Sequence, residues 1–311
     1  MGMARQFDHM GDVAEQGAGI CQTYRFVVDA RLREGTLIEV VPQSSGRTKQ
    51  YQEKHMDEHV AKTESRDRAL ITGHSRGLGA AIAERLLERG FAVLAIARDG
   101  NRDLARRYPG LTEVAMDLAD SPALARWLDE GQLGRFAAGA ARVLLVNNAG
   151  QLAPMGAPGR QGADAIRYAV AINVTAPLML TDGFVAATAA CGERRVAHVS
   201  SGAGRSAYAG WSIYGAGKAA LDHHARALQL DAVPGLSVAS IAPGVIDTAM
   251  QAEIRDASIE AFPNRPRFEA MKANRELASP AEAARQFVDY VLSARFGDEA
   301  CVDLRNLPPA A

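Results

Sequence analysis

The sequence predicts an α/β fold: a single doubly wound, parallel, seven-stranded sheet with helices on both faces and a non-core N-terminal extension. Three observations lead there. From Arg68 onward, short β-rich runs alternate with Ala-rich stretches of helix length. Those runs are almost continuously apolar, as strands covered on both faces are. The first run also passes through a glycine-rich turn directly into an amphipathic stretch, giving a strand–turn–helix unit.

The strands are read at ALITG (69–73), FAVLAIA (91–97), LTEVAMD (111–117), RVLLVNNAG (142–150), RVAHVSS (195–201), SVASIAPG (237–244) and ACVDL (300–304). Between them lie helical segments such as LGAAIAERLLERG and PALARWLDEG. This rhythm defines a domain over residues 67–311. Residues 1–66 stand outside it as an extension and linker, of which 45–67 (SGRTKQYQEKHMDEHVAKTESRD) is polar and charged.

Composition excludes several function classes. With 48% hydrophobic and 23% charged residues over 311 positions, the chain is ordinary globular material. A formal charge of −1 gives no reason to expect nucleic acid or an acidic membrane as partner. The apolar runs break before the roughly 20 residues that span a bilayer, and the N-terminus has no signal-type apolar core. Cys21, Cys191 and Cys301 are odd in number and far apart, which suits reduced thiols in a cytoplasmic protein and fits neither a disulfide framework nor zinc. No metal is expected. His223 and His224 are adjacent on a helix and point about 100° apart, while His74 and His198 lack ligand-spaced partners. The arginines at 102–107 and 194–195 read as solvated ends of helices and strands.

The chemistry is carried by three segments. Thr72-Gly73-His74-Ser75-Arg76-Gly77-Leu78-Gly79 joins the first strand to a helix. Glycines let the backbone turn tightly against a pyrophosphate, and the helix start offers free N–H groups and a positive dipole. This is the phosphate turn of a Rossmann-type dinucleotide fold. The second strand closes with Ala97 and Arg98 rather than an acid. Two guanidinium groups, Arg76 and Arg98, favour the 2′-phosphate of NADP(H) over the bare ribose of NAD. Asp99, next door, is the one neighbour able to weaken that by pairing with Arg98. Finally, Tyr214 and Lys218 are spaced i, i+4 on one helix face, where an ammonium can lower a phenol's pKa toward useful proton transfer.

The Gly-x-x-x-Gly-x-Gly spacing, the NNAG segment, and Ser201 thirteen residues before Tyr214 together resemble the short-chain dehydrogenase/reductase family. The resemblance implies a catalytic group of Asn173, Ser201, Tyr214 and Lys218. Ser201 would polarise the carbonyl oxygen, Tyr214 protonate it, and Lys218 hold the nicotinamide ribose. Asn173 would hold a water that links the lysine to solvent. Ser200 is the nearest rival for the serine role, and strand alternation turns it to the other face. The cofactor residues implied are Gly73, Ser75, Arg76, Gly77, Leu78, Gly79 and Arg98, with Asp117 and Leu118 near the adenine. Asn147, Ala149, Gly150, Tyr214 and Lys218 follow, with Pro243, Gly244, Ile246 and Thr248 after the sixth strand. Hydride transfer between NADP(H) and a small-molecule carbonyl substrate is the activity implied, in a homodimer or homotetramer without nucleic-acid or membrane partners.

Within the family, PGVIDTAMQAEIRD and AGWSIYGAGKAALDHHARAL look like the corresponding segments of bacterial benzil reductases and sepiapterin reductases. Met155, Trp211 and Met250 would wall a flat diketone or pterin, and Asp303 would anchor a pterin. Two alternatives stay open. One is an acyl-carrier ketoreductase, favoured by a basic patch of Arg255, Arg265, Arg267 and Lys272. The other is a non-catalytic NADPH sensor. A second resemblance lies in residues 17–51, carried by GAGICQTYRFVVDARLREGTLIEVVP (17–42), which is similar to the closing segment of the effector domain of LysR-type regulators. It lacks a helix-turn-helix, so it implies a remnant upstream of an enzyme that starts near Met56.

Overall fold

The computed structural model describes residues 67–307. The N-terminal extension, with its LysR-like segment, lies outside the described residues. Each expected strand forms: β1 (Asp67–Thr72), β2 (Ala92–Ala97), β3 (Leu111–Ala115), β4 (Arg142–Asn147), β5 (Glu193–Val199), β6 (Leu236–Ala242) and β7 (Cys301–Asp303). They make one seven-stranded sheet in the order β3-β2-β1-β4-β5-β6-β7. All its pairings are parallel. The chain runs outward from β1 to β3 and returns to β4, so the winding reverses between β1 and β4.

Helices make the crossovers. They are α1 (Gly77–Glu88), α2 (Arg102–Arg107), α3 (Ser121–Asp129), α4 (Gln132–Ala137), α5 (Ala163–Val170) and α6 (Ala176–Ala187), then α7 (Ser212–Leu230), α8 (Ala249–Asp256), α9 (Arg265–Ala273) and α10 (Pro280–Leu292). Polar residues set several starts. Asn101, Asp120 and Ser279 each accept a backbone N–H of the first turn of α2, α3 and α10 at 2.9–3.1 Å. Pro122 and Pro280 sit in first turns, where a missing N–H costs nothing.

The apolar strands bury both faces. On one side Ile71, Val93 and Ile241 meet Ile82 and Leu86 of α1 and Phe287 of α10. On the other, Leu70, Leu94 and Val196 meet Leu124 and Trp127 of α3 and Leu180 and Phe184 of α6. Neighbouring residues of one strand thus serve opposite layers, as the pleat dictates.

Two expectations are corrected here. Ala163–Ala187 forms one continuous 25-residue helix containing an 18-residue window of mean hydropathy 1.5, long and apolar enough by length and composition to cross a membrane. Its Leu180 and Phe184 are nevertheless fully buried against the sheet, the position of a core helix. Arg194 and Arg195 are not solvated. Arg194 is 5% exposed and donates to the carbonyls of Val185 and Pro234. Arg195 pairs with Glu193, donates to the Ser293 carbonyl at 2.8 Å, and lies over the Phe296 ring. Loops close over this end of β5 and present carbonyls that only a long cationic side chain can reach.

The glycine turn shows why glycine is needed. Gly73 and Gly77 have φ of +74° and +60°. A Cβ on Gly79 would fall 2.1 Å from the Gly73 carbonyl oxygen and 2.3 Å from Asn148 Nδ2. Gly79→Ala should therefore push α1 off β1 and cost about 1–3 kcal/mol. In a domain of this size each kcal/mol lowers Tm by roughly 2–4 °C. Gly192→Ala, where an added Cβ meets nothing within 4 Å, is the control and should leave Tm unchanged. Calorimetry on both variants checks the difference.

Candidate active site

The reversal between β1 and β4 opens a cleft of about 610 Å³ along the C-terminal ends of the strands. Side chains there are placed by the loops that leave those ends. Gly73, Ser75, Arg76, Gly77, Leu78 and Gly79 line it from the first turn, and Arg98 lines it after β2. Asp117 and Leu118 follow β3, Ala149 and Gly150 follow β4, and Pro243, Gly244, Ile246 and Thr248 follow β6. Ser201, Tyr214, Lys218 and Met250 complete the wall.

Asn147 is not among them. It is 2% exposed, and its amide donates toward Thr181 Oγ1 at 3.2 Å and His198 Nδ1 at 3.1 Å, inside the layer between sheet and helices. Asn148, one residue on, borders the cleft instead. Its backbone N–H and that of Ala149 both donate to Thr72 Oγ1 at 3.0 Å, and its amide donates to the Thr72 carbonyl at 2.9 Å. A one-residue step at a strand end exchanges the two faces.

The catalytic candidates come from three elements. Ser201 lies just past β5, before a 3₁₀ turn (Gly202–Gly204), and its hydroxyl accepts the Ala203 N–H at 3.2 Å. Tyr214 on α7 shares the cleft wall with Ser201. Burial pushes the Tyr214 phenol up, and the Ser201 hydroxyl pulls against that. Lys218, one turn further, donates Nζ to the Val199 carbonyl at 2.8 Å and sits 5.7 Å from the Tyr214 ring centroid. Burial holds its ammonium down to about 8, with Asp222 opposing. The expected lowering of the phenol by the ammonium is not found: the phenol is raised by burial, which favours the neutral form of both groups.

Asn173 lies in a π-helical turn (Ala171–Thr175) between α5 and α6. Such a turn re-aims a side chain within a continuous helix. Asn173 does not line the cleft; its amide clasps the Gln151 backbone, accepting N–H at 2.8 Å and donating to C=O at 2.7 Å. A Cβ on Gly150 would meet both Asn173 Oδ1 and Lys218 Nζ at 3.5 Å, so the two groups converge over that glycine. Ser200 also borders the cleft, with its hydroxyl unpartnered. The ladder ends at Val199, so strand alternation no longer governs it.

At the other end, Arg98 Nη1 donates to the Tyr168 hydroxyl at 3.0 Å, and that hydroxyl points to Asp117 Oδ2 at 3.4 Å. Asp99 makes no ion pair with Arg98 among the described residues. Sequence reasoning missed Tyr168 and also His74, which is 1% exposed and bonds Glu113 Oε1 at 2.6 Å. Burial raises the Glu113 carboxyl, but the bonds from the Asn101 N–H and His74 outweigh it and leave the group below its ordinary range. That pair spans 39 residues, so no local pattern announces it.

The substrate candidates are only partly brought together. Trp211 stacks on Phe262 at 4.4 Å, meets Tyr214 edge-on at 5.5 Å, and shares an apolar cluster with Met155 and Met250. Met250 borders the cleft with Phe268, while Trp211 and Met155 stand behind it. Asp303 does not border the cleft, because Arg305 takes its carboxylate in two bonds of 2.6 and 2.9 Å. His224 is half-buried on α7. Its Nδ1 lies 3.3 Å from Nε2 of buried His198, whose own pKa is pushed down to about 3 by burial and the nearby His224 and Lys218.

A sequence profile of the short chain dehydrogenase family matches residues 67–259. A benzil reductase ((S)-benzoin forming) of Bacillus cereus is 35% identical over 235 residues, covering 73% of this chain and 94% of that one. A sepiapterin reductase of Meriones unguiculatus is 31% identical over 250 residues, covering 75% and 94%. The crystal structure of a short-chain dehydrogenase/reductase from Burkholderia vietnamiensis is 46% identical, covers 79% of this chain and all of that one, and superposes with a TM-score of 0.58. Profile, relatives and strand order agree: the chain belongs to the short-chain dehydrogenase/reductase family, oxidoreductases that use nicotinamide cofactors on small molecules.

Proposed function

We propose that this chain reduces a flat ketone or diketone to an alcohol with NADPH, Tyr214 giving the proton to the carbonyl oxygen. The observation that carries the reading is that Ser201, Tyr214 and Lys218 line the same cleft as the glycine turn. The residues present fit the cofactor. Without a Cβ at Gly79 the turn packs onto β1 and leaves its N–H groups for a pyrophosphate, and Arg76 and Arg98 supply cations for a 2′-phosphate. Gly73–Gly79 would hold the pyrophosphate, Asp117 and Leu118 the adenine, and Gly244–Thr248 the carboxamide. When bound, the nicotinamide supplies the hydride.

The chain's own residues do the rest. Ser201 donates a hydrogen bond to the carbonyl oxygen as negative charge grows there. Tyr214 protonates that oxygen, and burial keeps its proton in place until then. Lys218, fixed by the Val199 carbonyl, sets a positive charge beside the phenol as it becomes phenolate. Asn173 clasps the Gln151 backbone, converges with Lys218 over Gly150, and would hold there the water that links the lysine to solvent.

The relatives name a diketone and a pterin as substrates, and two observations favour the diketone. Asp303, the candidate pterin anchor, is neutralised by Arg305. Met250 and Phe268 line the cleft with apolar surface beside Tyr214. An acyl-carrier substrate loses support, since two of the four cations of that patch are paired, Arg265 with Glu269 and Lys272 with Asp247.

Tyr214→Phe should lower benzil turnover by roughly 10²–10⁴-fold while NADPH binding, read by fluorescence, stays as in the parent. A residual rate within about tenfold of the parent would remove Tyr214 from the role. The double change Ala97→Asp with Arg98→Leu should move cofactor preference toward NADH by about 10–100-fold, the worth of one charge-assisted phosphate contact. Paired kcat/KM values for NADPH and NADH give the answer.

Lys218 also makes stability depend on pH. Its pKa falls from 10.5 in the unfolded chain to about 8 in the fold, so the unfolded chain holds the extra proton between those values. Stability rises with pH across that window, and the buried ammonium costs about 3 kcal/mol below it. Lys218→Met should therefore be the more stable protein in urea at pH 7, and its advantage should shrink toward pH 10. An advantage that does not vary with pH would refute the assignment.

A further inference from the structure

Asp222 has no part in the reaction drawn above, yet it is 1% exposed on α7, one turn beyond Lys218. A carboxylate so deep in the protein is retained only if donors surround it. Here Arg205 Nε donates to it at 2.9 Å and Ser240 Oγ at 2.7 Å. The Arg205 guanidinium spends another bond group on the backbone carbonyls of Ser240 and Val302, at 3.3 and 3.2 Å. Arg205 itself closes the short turn that begins at Ser201. The carboxylate thus joins that turn, β6 and α7. Tyr214, Lys218 and Asp222 are spaced i, i+4, i+8, which puts them on one stripe of α7, and all three are buried.

We propose that Asp222 is a positioning residue that sustains the positive charge of Lys218 from one helical turn away. The proposal rests on the reading of Lys218 as the charged partner of Tyr214. Around Lys218, α7 itself presents Tyr214 and Asp222, and β5 presents His198, which burial keeps neutral. The π-helical turn presents only uncharged Asn173, β6 presents Ser240, and β7 presents the Cys301 thiol, whose Sγ donates to the Asp222 carbonyl. Arg205, from the turn after β5, is the competing cation and is held by the carboxylate itself. Asp222 is therefore the anion that opposes the burial of Lys218, and the shifts agree in sign: burial lowers the lysine and Asp222 raises it. Without it, burial alone would strip the ammonium of its proton closer to neutrality, and the charge meant for the phenolate would be lost.

The test is a titration of Lys218 in the cofactor-free protein, followed by NMR of side-chain-labelled lysine. The Lys218 signal is assigned by its loss in Lys218→Met. Asp222→Asn should lower the Lys218 midpoint by about one pH unit, a tenfold weaker hold on the proton. A merely structural role predicts the opposite sign, because loosening α7 hydrates the lysine and raises its midpoint toward 10.5. A midpoint that is unchanged or raised overturns the proposal. If Asp222→Asn leaves Arg205 unpaired and does not fold, the same comparison is made between Arg205→Gln and the double variant Arg205→Gln/Asp222→Asn. The double variant should again titrate lower, and coincident midpoints overturn the proposal. No turnover enters this measurement. A chain inactive on every carbonyl would sink the proposed function and leave the Asp222 result standing.

Discussion

The cleft depends on how β1 and β4 are tied where their chains part. Past Thr72 the backbone turns into α1 on one face of the sheet, and past Asn147 it leaves toward α5. Something must hold the two diverging ends together, or the gap between them would have no fixed width. Thr72 does this by accepting two backbone N–H groups, from Asn148 and Ala149, on a single hydroxyl. The Asn148 amide answers by donating to the carbonyls of Thr72 and Gly73. This stitch consumes backbone groups that would otherwise be orphaned beyond the last ladder bond. It also explains the glycine at 79, since Asn148 Nδ2 fills the space a Cβ would need.

From that stitch the site acquires two ends of opposite character. One is polar and open, with Arg76, Arg98 and Asp117 around the glycine turn. The other is dry, with Lys218 buried and Tyr214 packed among Trp211, Phe262 and Phe268. Phe268 faces the cleft, while Trp211 and Phe262 stand behind it and exclude water from behind the phenol. Dryness has a cost in charge, which the Lys218–Val199 bond and the Asp222 cluster offset.

How much of this was legible in the sequence depends on the range of the interaction. Strands such as FAVLAIA and RVLLVNNAG announce themselves because burial on both faces demands an unbroken apolar run, and that is a local property. That Gly73–Gly79, Ser201, Tyr214 and Lys218 share one cleft was implied by the family resemblance, while helix periodicity alone put Tyr214 and Lys218 on one face. Errors arose where periodicity stops. Asn147 and Asn148 differ by one residue at the end of a ladder, and only the stitch to Thr72 decides which side chain faces the cleft. Arg194 and Arg195 look like surface residues until the loops at Pro234 and Ser293 are folded over them. The His74–Glu113 bond, the Arg305 clasp on Asp303 and the stacking of Trp211 on Phe262 are tertiary meetings without a local signature.

The same burial that makes the site dry also gives the proposed reaction a preferred working direction in pH. Desolvation favours the neutral phenol, so Tyr214 carries its proton throughout the neutral range and the acid for carbonyl reduction is always loaded. Oxidation of an alcohol would need the phenolate as base, and burial withholds it until higher pH. Lys218 sets the upper limit of the window, since its charge is half lost at about 8. Below about 8 the pair is a protonated phenol beside a charged ammonium, the combination a reductase needs. The ammonium attracts the phenolate only as the proton leaves, so it acts where charge develops rather than on the resting acid. A buried phenol with a raised pKa is therefore no contradiction of a proton donor. It is a donor that holds its proton until the substrate oxygen becomes basic enough to take it.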